Sequence, residues 1–177
     1  PHEGPLLAAL KKAGWTDAKA PVFIQSFEVG NLIALSKKTK VRLIQLVDAS
    51  GSPADKPGTT YTAMLAPDGL KAIAAYAYGI GPAKDLIIAR NTDGSLGAPT
   101  GLVAAAHKAG LKLHPWTFRA ENYFLPSGWR SGINPRGAGR LSDEIARYIN
   151  AGVDGFFTDF PDIGVAARNQ AKPIGDK

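Results

Sequence analysis

Leu111-Lys112-Leu113-His114-Pro115-Trp116-Thr117-Phe118-Arg119 and Gly155-Phe156-Phe157-Thr158-Asp159-Phe160-Pro161-Asp162 are the two stretches whose reading decides the fold. Each follows a helical pattern that closes on Ala-Gly, at Ala109-Gly110 and at Ala151-Gly152. Each then passes through a short apolar strand into polar and aromatic residues at the strand's C-terminal end. In a (β/α)8 barrel that end of every strand faces the active site. The two stretches read as the floor of a catalytic cleft, although no complete set of catalytic residues accompanies them.

Outward from these stretches, strand and helix patterns alternate along the chain. Leu6, Leu7 and Leu10 lie at helical spacing and Gly14 stops that helix. Val22 to Ser26 reads as a strand, Glu28 to Ser36 as a helix and Arg42 to Val47 as the second strand. A Gly-, Ser-, Pro- and Asp-rich loop is predicted from Asp48 to about Ala63, then a helix from about Pro67 to Ala75. Tyr76 to Ile80 reads as a short strand ending at Gly81-Pro82, and Leu86 to Ala89 fits either strand or helix. Gly101 to Ala109 is predicted helical, Leu111 to Trp116 a strand and Arg140 to Ala151 a helix. Asp154 to Thr158 is the last predicted strand and Pro161 to Asn169 the last helix. The strands are apolar on both faces, as buried parallel strands are. About five β-α units result, in a single domain over residues 1–177. An open doubly wound sheet would place a Gly-rich phosphate loop after the first strand. Phe27-Glu28-Val29-Gly30 is no such loop, and five strands also fit part of a closed barrel.

Composition narrows the function classes. At 177 residues the chain is long enough for one sizeable core, but short of the ~250 residues of a whole barrel. The absence of Cys rules out disulfides, thiolate chemistry and Cys-ligated zinc. No apolar run approaches a membrane span. The net charge of +6 reads as solvated Lys11, Lys12, Lys37, Lys38, Lys40 and Arg42, or as attraction for an anionic substrate or acidic partner. Nucleic acid is a poor fit, because aromatic residues do not interleave with the basic ones. The chain opens on Pro1 rather than Met, so a processed or incomplete product is expected, with any address label lost. A disordered tail is expected over Asn169 to Lys177.

The order of motifs resembles the glycerophosphodiester phosphodiesterase family, in particular its larger bacterial periplasmic type. The matching pieces are Phe23-Ile24-Gln25-Ser26-Phe27, Leu43-Ile44-Gln45-Leu46, Gly79-Ile80-Gly81-Pro82, His114-Pro115-Trp116-Thr117-Phe118-Arg119 and Thr158-Asp159-Phe160-Pro161-Asp162. By this resemblance they are the fourth to eighth strands, the C-terminal part, of a (β/α)8 TIM barrel that hydrolyses glycerophosphodiesters to sn-glycerol 3-phosphate and an alcohol. The family's His-Arg-Gly, Glu-x-Asp and Glu-Ile-Lys motifs do not occur here. Pro1-His2-Glu3-Gly4 resembles the segment just after Glu-Ile-Lys. The catalytic His pair and the carboxylates that hold a divalent cation, Mg2+ or Ca2+, are therefore expected in a missing N-terminal segment of the same protein. No catalytic residue and no metal ligand is assigned to this chain, which alone is expected to be inactive. The resemblance also implies a periplasmic or secreted location. The alternatives are a non-catalytic phosphoglycerol-binding module with the same fold and, less favoured without Cys, a phospholipase D of the spider-venom type.

Four residues are candidates for substrate binding: Trp116, Arg119, Gln25 and Phe27. Trp116 offers a flat apolar wall for the carbon face of glycerol. Arg119 can pair with a phosphate oxygen through two parallel hydrogen bonds, or serve as a solvated loop residue or structural ion pair. Gln25 alternates with Phe23 and Phe27; if those two face the outer helices, Gln25 points into the barrel, with a structural role equally open. Gln45 occupies a comparable place on the next strand, where a structural role is favoured. Asp159 is expected to cap the last helix or orient a neighbour. His107 reads as complementing a helix C-terminal dipole, His2 as inert and His114 as packed or hydrogen-bonded rather than proton-transferring. The long loop from Ala120 to Gly139, with Tyr123, Phe124, Trp129, Arg130 and Arg136, reads as a lid or acceptor-side wall, or as a disordered connector.

Overall fold

The computed structural model describes residues 2–171. These form two compact units, one of residues 2–81 with 108–111, the other of residues 82–107 with 112–171. Both alternate parallel strand segments with helices, the α/β class expected from the sequence.

In the first unit α1 (Glu3–Lys12) leads into β1 (Phe23–Ser26), α2 (Val29–Ser36) and β2 (Arg42–Val47). α1 ends at Gly14, where the amides of Gly14 and Trp15 reach back to the carbonyls of Lys11 and Leu10. β1 and β2 pair in parallel with Ile24 opposite Leu43 and Gln25 opposite Ile44. Ile24 and Leu43 pack with Leu10 of α1 and with Leu32 and Leu35 of α2 in one apolar cluster, so this is the helix-covered face of the sheet. α3 (Tyr61–Leu65) and α4 (Pro67–Ala74) follow, and β3 (Gly79–Pro82) lies beside β2. The loop expected to run to about Ala63 ends earlier, because the Thr60 hydroxyl accepts from the Ala63 amide and starts α3. The strand expected over Tyr76 to Ile80 starts late, at Gly79, and includes Gly81 and Pro82. Tyr76 and Ala77 are held in a turn by the Ile73 carbonyl.

The second unit opens at Pro82. The ambiguous stretch around Leu86 is neither one long strand nor a helix. A 3-10 turn (Lys84–Leu86) leads into β4 (Ile88–Arg90), which pairs antiparallel with β5 (Leu96–Pro99). Asp93 shapes the hairpin turn by accepting from the Ser95 amide and hydroxyl. α5 (Leu102–Lys108) and α6 (Leu141–Asn150) both leave their last turn through a glycine, Gly110 at φ 81° and Gly152 at φ 96°. Only glycine takes these angles without strain, which is why both helices close on Ala-Gly. The strand expected over Leu111 to Trp116 is regular only as β6 (Lys112–Leu113), because Pro115 interrupts its ladder. Its continuation pairs Trp116 in parallel with Ala83, and Phe118 in parallel with Thr158. The last expected strand, Asp154 to Thr158, forms no regular strand; it is an extended segment tied to its neighbour at Phe157 and Asp159. α7 (Pro161–Gln170) starts with Pro in its first turn and extends into the expected disordered tail, so Asn169 and Gln170 are helical. Residues 172–177 of that tail lie outside the described residues.

α6 supplies much of this unit's core. Leu141, Glu144, Ile145 and Tyr148 are buried at helical spacing. Tyr148 meets the fully buried Phe118 edge to face, with centroids 4.9 Å apart.

Candidate functional site

In the second unit the parallel segments end at Trp116–Arg119 and at Thr158–Asp159. The Phe118 amide donates to Phe157 O, and the Asp159 amide donates to Phe118 O. The Thr158 hydroxyl donates to Phe118 O and accepts from the Phe160 amide, so Thr158 shapes the turn into α7. Asp159 does not cap that helix. Its carboxylate instead holds Arg119, with Nε 2.6 Å from Oδ2. The guanidinium also lies over the Phe124 ring, 4.7 Å from its centroid. Arg119 is thus an ion-paired residue at a strand's C-terminal end, aimed by a carboxylate and an aromatic face. Trp116 precedes it, half-buried, with its amide donating to Pro82 O and its carbonyl accepting from the Lys84 amide. Trp116 and Arg119 lie on the same segment, three residues apart.

The loop from Ala120 to Gly139 is built rather than a disordered connector. Asn122 is buried; its amide group donates to the carbonyls of Ser131 and Asn134, and its oxygen accepts from the Ser131 amide. The loop's first turn is latched from below. Lys84 reaches Glu144 at 2.7 Å and donates to the Phe124 carbonyl, and Arg90 donates to the carbonyls of Phe124 and Leu125. Burial pushes the Lys84 ammonium below its ordinary pKa and the Glu144 carboxyl above its own, and the pair's mutual attraction opposes both shifts. The Tyr148 hydroxyl donates to Lys84 O and Ile88 O, and its burial, followed by the nearby Glu144 carboxylate, pushes its pKa up.

The first unit holds Gln25 and Phe27. The premise for Gln25 fails: side chains repeat every second residue along a strand, so Phe23 shares the face of Gln25 rather than opposing it. Ile24 is the residue turned to the helices. Gln25 is exposed on the sheet face away from α1 and α2. Gln45 does not match its place, because the register sets Gln45 opposite Ser26 and Ile44 opposite Gln25. Gln45 is fully buried, its amide donating to the carbonyls of Ser26, Phe27 and Leu46 while its oxygen accepts from the Tyr76 hydroxyl at 2.8 Å. Burial pushes the Tyr76 phenol up to about 12, with help from Asp55. Phe27 sits past the end of β1, edge-on to Tyr61 at 6.2 Å between centroids. Asp55 reaches from the loop to the start of α2, accepting from the amides of Val29 and Gly30, while its own amide donates to Glu28. Burial would raise the Asp55 carboxyl, but the Gly30 and Val29 amides draw it below its ordinary range.

His114 is buried edge-on to Phe157, and a Cβ at Gly155 would lie 2.8 Å from its Nε2, so that position must be glycine. His107 pairs with Asp154 at 2.8 Å; its main partner is this carboxylate rather than a helix dipole. His2 precedes α1 and makes no side-chain cap. Sequence reasoning missed Asp55, Asn122, Asp154 and the Lys84–Glu144 pair. Glu144 carried a readable signal, a carboxylate in the apolar stripe of Leu141, Ile145 and Tyr148; the others, on loops, carried none.

Residues 3–163 match the profile described as the glycerophosphoryl diester phosphodiesterase family. A glycerophosphodiester phosphodiesterase of Arabidopsis thaliana is 34% identical over 166 residues, covering 89% of this chain and 42% of that protein. One from Treponema pallidum (strain Nichols) is 30% identical, covering 90% of this chain and 46% of that protein. The chain thus spans less than half the length of these relatives. Among solved structures, one assigned as a glycerophosphoryl diester phosphodiesterase from Agrobacterium tumefaciens C58 superposes with a TM-score of 0.56 at 20% identity, covering 93% of this chain and 49% of that one. Another so assigned, from Silicibacter pomeroyi DSS-3, gives 0.52 at 18% identity, covering 92% of this chain and 41% of that one. At such identities the likeness carries the fold alone: this chain has the α/β architecture of part of a (β/α)8 barrel.

Proposed function

The chain belongs to the glycerophosphoryl diester phosphodiesterase family, and from that membership we propose that the protein hydrolyses glycerophosphodiesters to sn-glycerol 3-phosphate and an alcohol. The observation that carries the reading is Arg119, held by Asp159 at a strand's C-terminal end three residues after Trp116. A guanidinium stays charged at any working pH and meets phosphoryl oxygens through directed hydrogen bonds. The Trp116 indole suits the carbon face of a glycerol moiety. Gln25 and Phe27 belong to the same proposal as substrate-facing groups of the first unit.

A divalent cation, Mg2+ or Ca2+, is part of the proposal. Among the described residues no three His, Cys, Asp or Glu side chains converge where a metal could sit. Carboxylates close to the strand ends are engaged within the chain, Asp159 with Arg119, Asp48 with the Ala49 amide and Glu28 with the Asp55 amide, and Asp55 itself holds the α2 amides. The described residues do not fit the cation by themselves. In this proposal its ligands and the proton-transferring groups come from a segment preceding this one. A periplasmic or secreted setting belongs to the same reading and is checked by cell fractionation.

The test is release of glycerol 3-phosphate from glycerophosphodiesters by the complete natural protein, with and without chelator, beside the 177-residue chain alone. Metal-dependent turnover by the complete protein and none by the chain is the expected result. Binding of glycerol 3-phosphate with no turnover under any condition would instead mark a non-catalytic phosphoglycerol-binding module.

A further inference from the structure

Lysines gather at one end of the first unit. Lys11 lies in the last turn of α1, Lys37 and Lys38 just past α2, and Lys40 ahead of β2. Together they line a cavity of about 340 Å³ whose other walls include Leu7 and Trp15. All four lysines are exposed, and none makes a salt bridge among the described residues. The field of Lys38 reaches Glu3, which is itself bonded to the Asn31 amide. Cations at helix C-termini complement the helix dipole, but Lys40 lies outside any helix. The dipole also gives no reason for Trp15, which is 40% exposed among them. The Trp15 amide donates to Leu10 O, which keeps this residue at the end of α1.

Ser36 and Lys37 also line a second cavity, of about 410 Å³. It is an apolar groove between α2 and the α3–α4 pair, walled by Val29, Ile33, Met64 and Ile73, with Lys37 and Lys56 as its basic residues. A soluble polyanion or an acidic protein tail would meet the lysines and leave the tryptophan and the groove unused. A membrane surface rich in anionic phospholipids meets them all. Its phosphates pair with ammonium groups, an indole sits at headgroup level, and apolar surface faces acyl chains. The register sets Phe23 beside Arg42, so the lysines stand where β1 and β2 begin. We propose that this end of the first unit docks on an anionic phospholipid surface through Lys11, Lys37, Lys38, Lys40 and Trp15, with the mouth of the groove against the acyl region. Docked in this way, the C-terminal end of β1, where Phe27 lies, is turned from the membrane towards solution. Such docking lies on a bilayer and needs no spanning segment; among the described residues no helix is long and apolar enough to cross one.

The test is sedimentation of the complete natural protein with vesicles of phosphatidylglycerol or of phosphatidylcholine. Binding is expected on the anionic vesicles only, and to weaken as salt rises. Each lysine near an anionic surface contributes about fivefold in binding, so Lys11→Gln with Lys40→Gln is expected to weaken it roughly thirtyfold. Ala72→Glu, at an exposed position on the groove, is expected to weaken it severalfold. Phosphatidylglycerol with brominated acyl chains is expected to quench tryptophan fluorescence in the natural protein and clearly less in Trp15→Phe. Circular dichroism checks that each variant keeps its fold. Equal binding to both lipids, or anionic binding that neither the lysine pair nor Ala72→Glu weakens, overturns the docking surface. Retention on immobilised poly-glutamate without vesicle binding also overturns it, and makes the patch a site for an acidic protein. None of these measurements reads turnover, so failure of the phosphodiesterase reading leaves the outcome unaffected.

Discussion

Arg119 Nε lies 2.6 Å from Oδ2 of Asp159, and the two residues end neighbouring parallel segments that meet at the Phe118–Thr158 bridge. Both side chains keep more than a third of their surface in solvent, 39% and 48%. A pair this wet adds little to stability. Its consequence is direction: it fixes where a guanidinium points at a strand's C-terminal end, where barrel enzymes hold their substrates.

Asp159→Asn is therefore expected to leave thermal stability nearly unchanged while raising KM for the diester several-fold. Arg119→Lys keeps the charge but loses the planar fork, and is expected to raise KM about tenfold. Melting curves and steady-state kinetics on the complete protein check both. A large stability loss with KM untouched would make the pair a structural brace.

Lys84 and Glu144 form the opposite kind of pair, with side chains only 11% and 0% exposed. Removing one partner strands a buried charge, so Glu144→Leu or Lys84→Met alone is expected to cost about 3–5 kcal/mol. The double replacement is expected to recover most of that loss, since two apolar groups need no counter-charge. Denaturant unfolding of the four proteins gives the cycle, and additive losses would show that the pair is not coupled.

Asp55 and Gly30 make a cap across distant parts of the chain. A Cβ at Gly30 would lie 2.9 Å from Oδ2 of Asp55, so a side chain there displaces the capping carboxylate. Gly→Ala inside a helix ordinarily gains about 1 kcal/mol. Gly30→Ala is expected to gain clearly less than that in the natural protein, and the full amount once Asp55→Ala has removed the cap. Equal gains in both backgrounds would refute the coupling.

Asp154 ties His107 and Lys112 together at 2.8 and 2.7 Å and accepts from the Leu113 amide. Burial acts to raise its pKa, but the hydrogen bonds from Lys112, His107 and the Leu113 amide outweigh it and hold the carboxyl below its ordinary value. A group depressed on folding contributes stability that is fully present above its unfolded pKa, about 4, and is lost as pH falls through the lower folded value. Stability measured from pH 6 down to pH 2 is expected to fall less steeply in Asp154→Asn than in the natural protein. Parallel curves would remove Asp154 from the acid response.

Most elements were legible where one local signal ruled. Arg42–Val47 is a strand from end to end because four of its six residues, Leu43, Ile44, Leu46 and Val47, are apolar, and α5 and α6 end where Ala-Gly permits a positive φ. Reading failed where two local signals competed. Thr60 started a helix inside a stretch that composition marked as loop, and Leu86 to Ala89 crosses from a 3-10 turn into a hairpin strand. At the site, Trp116 and Arg119 stood out as residue types at a strand end, but the hold on Arg119 was not visible in them.

The order of strands and helices, the family and the residue types at the strand ends were set by the sequence alone. Periodicity, caps and motif spacing are local properties that neighbouring residues already express. The tertiary structure decided that Gln25 and Gln45 turn to opposite faces, that Asp159 serves Arg119 rather than a helix, and that a buried oxygen of Glu121 has no hydrogen-bond partner among the described residues. Each of these depends on register or on contact between residues far apart in the chain. A one-residue shift in pairing would reverse the first, and distances between remote side chains exist only once the backbone has closed on itself.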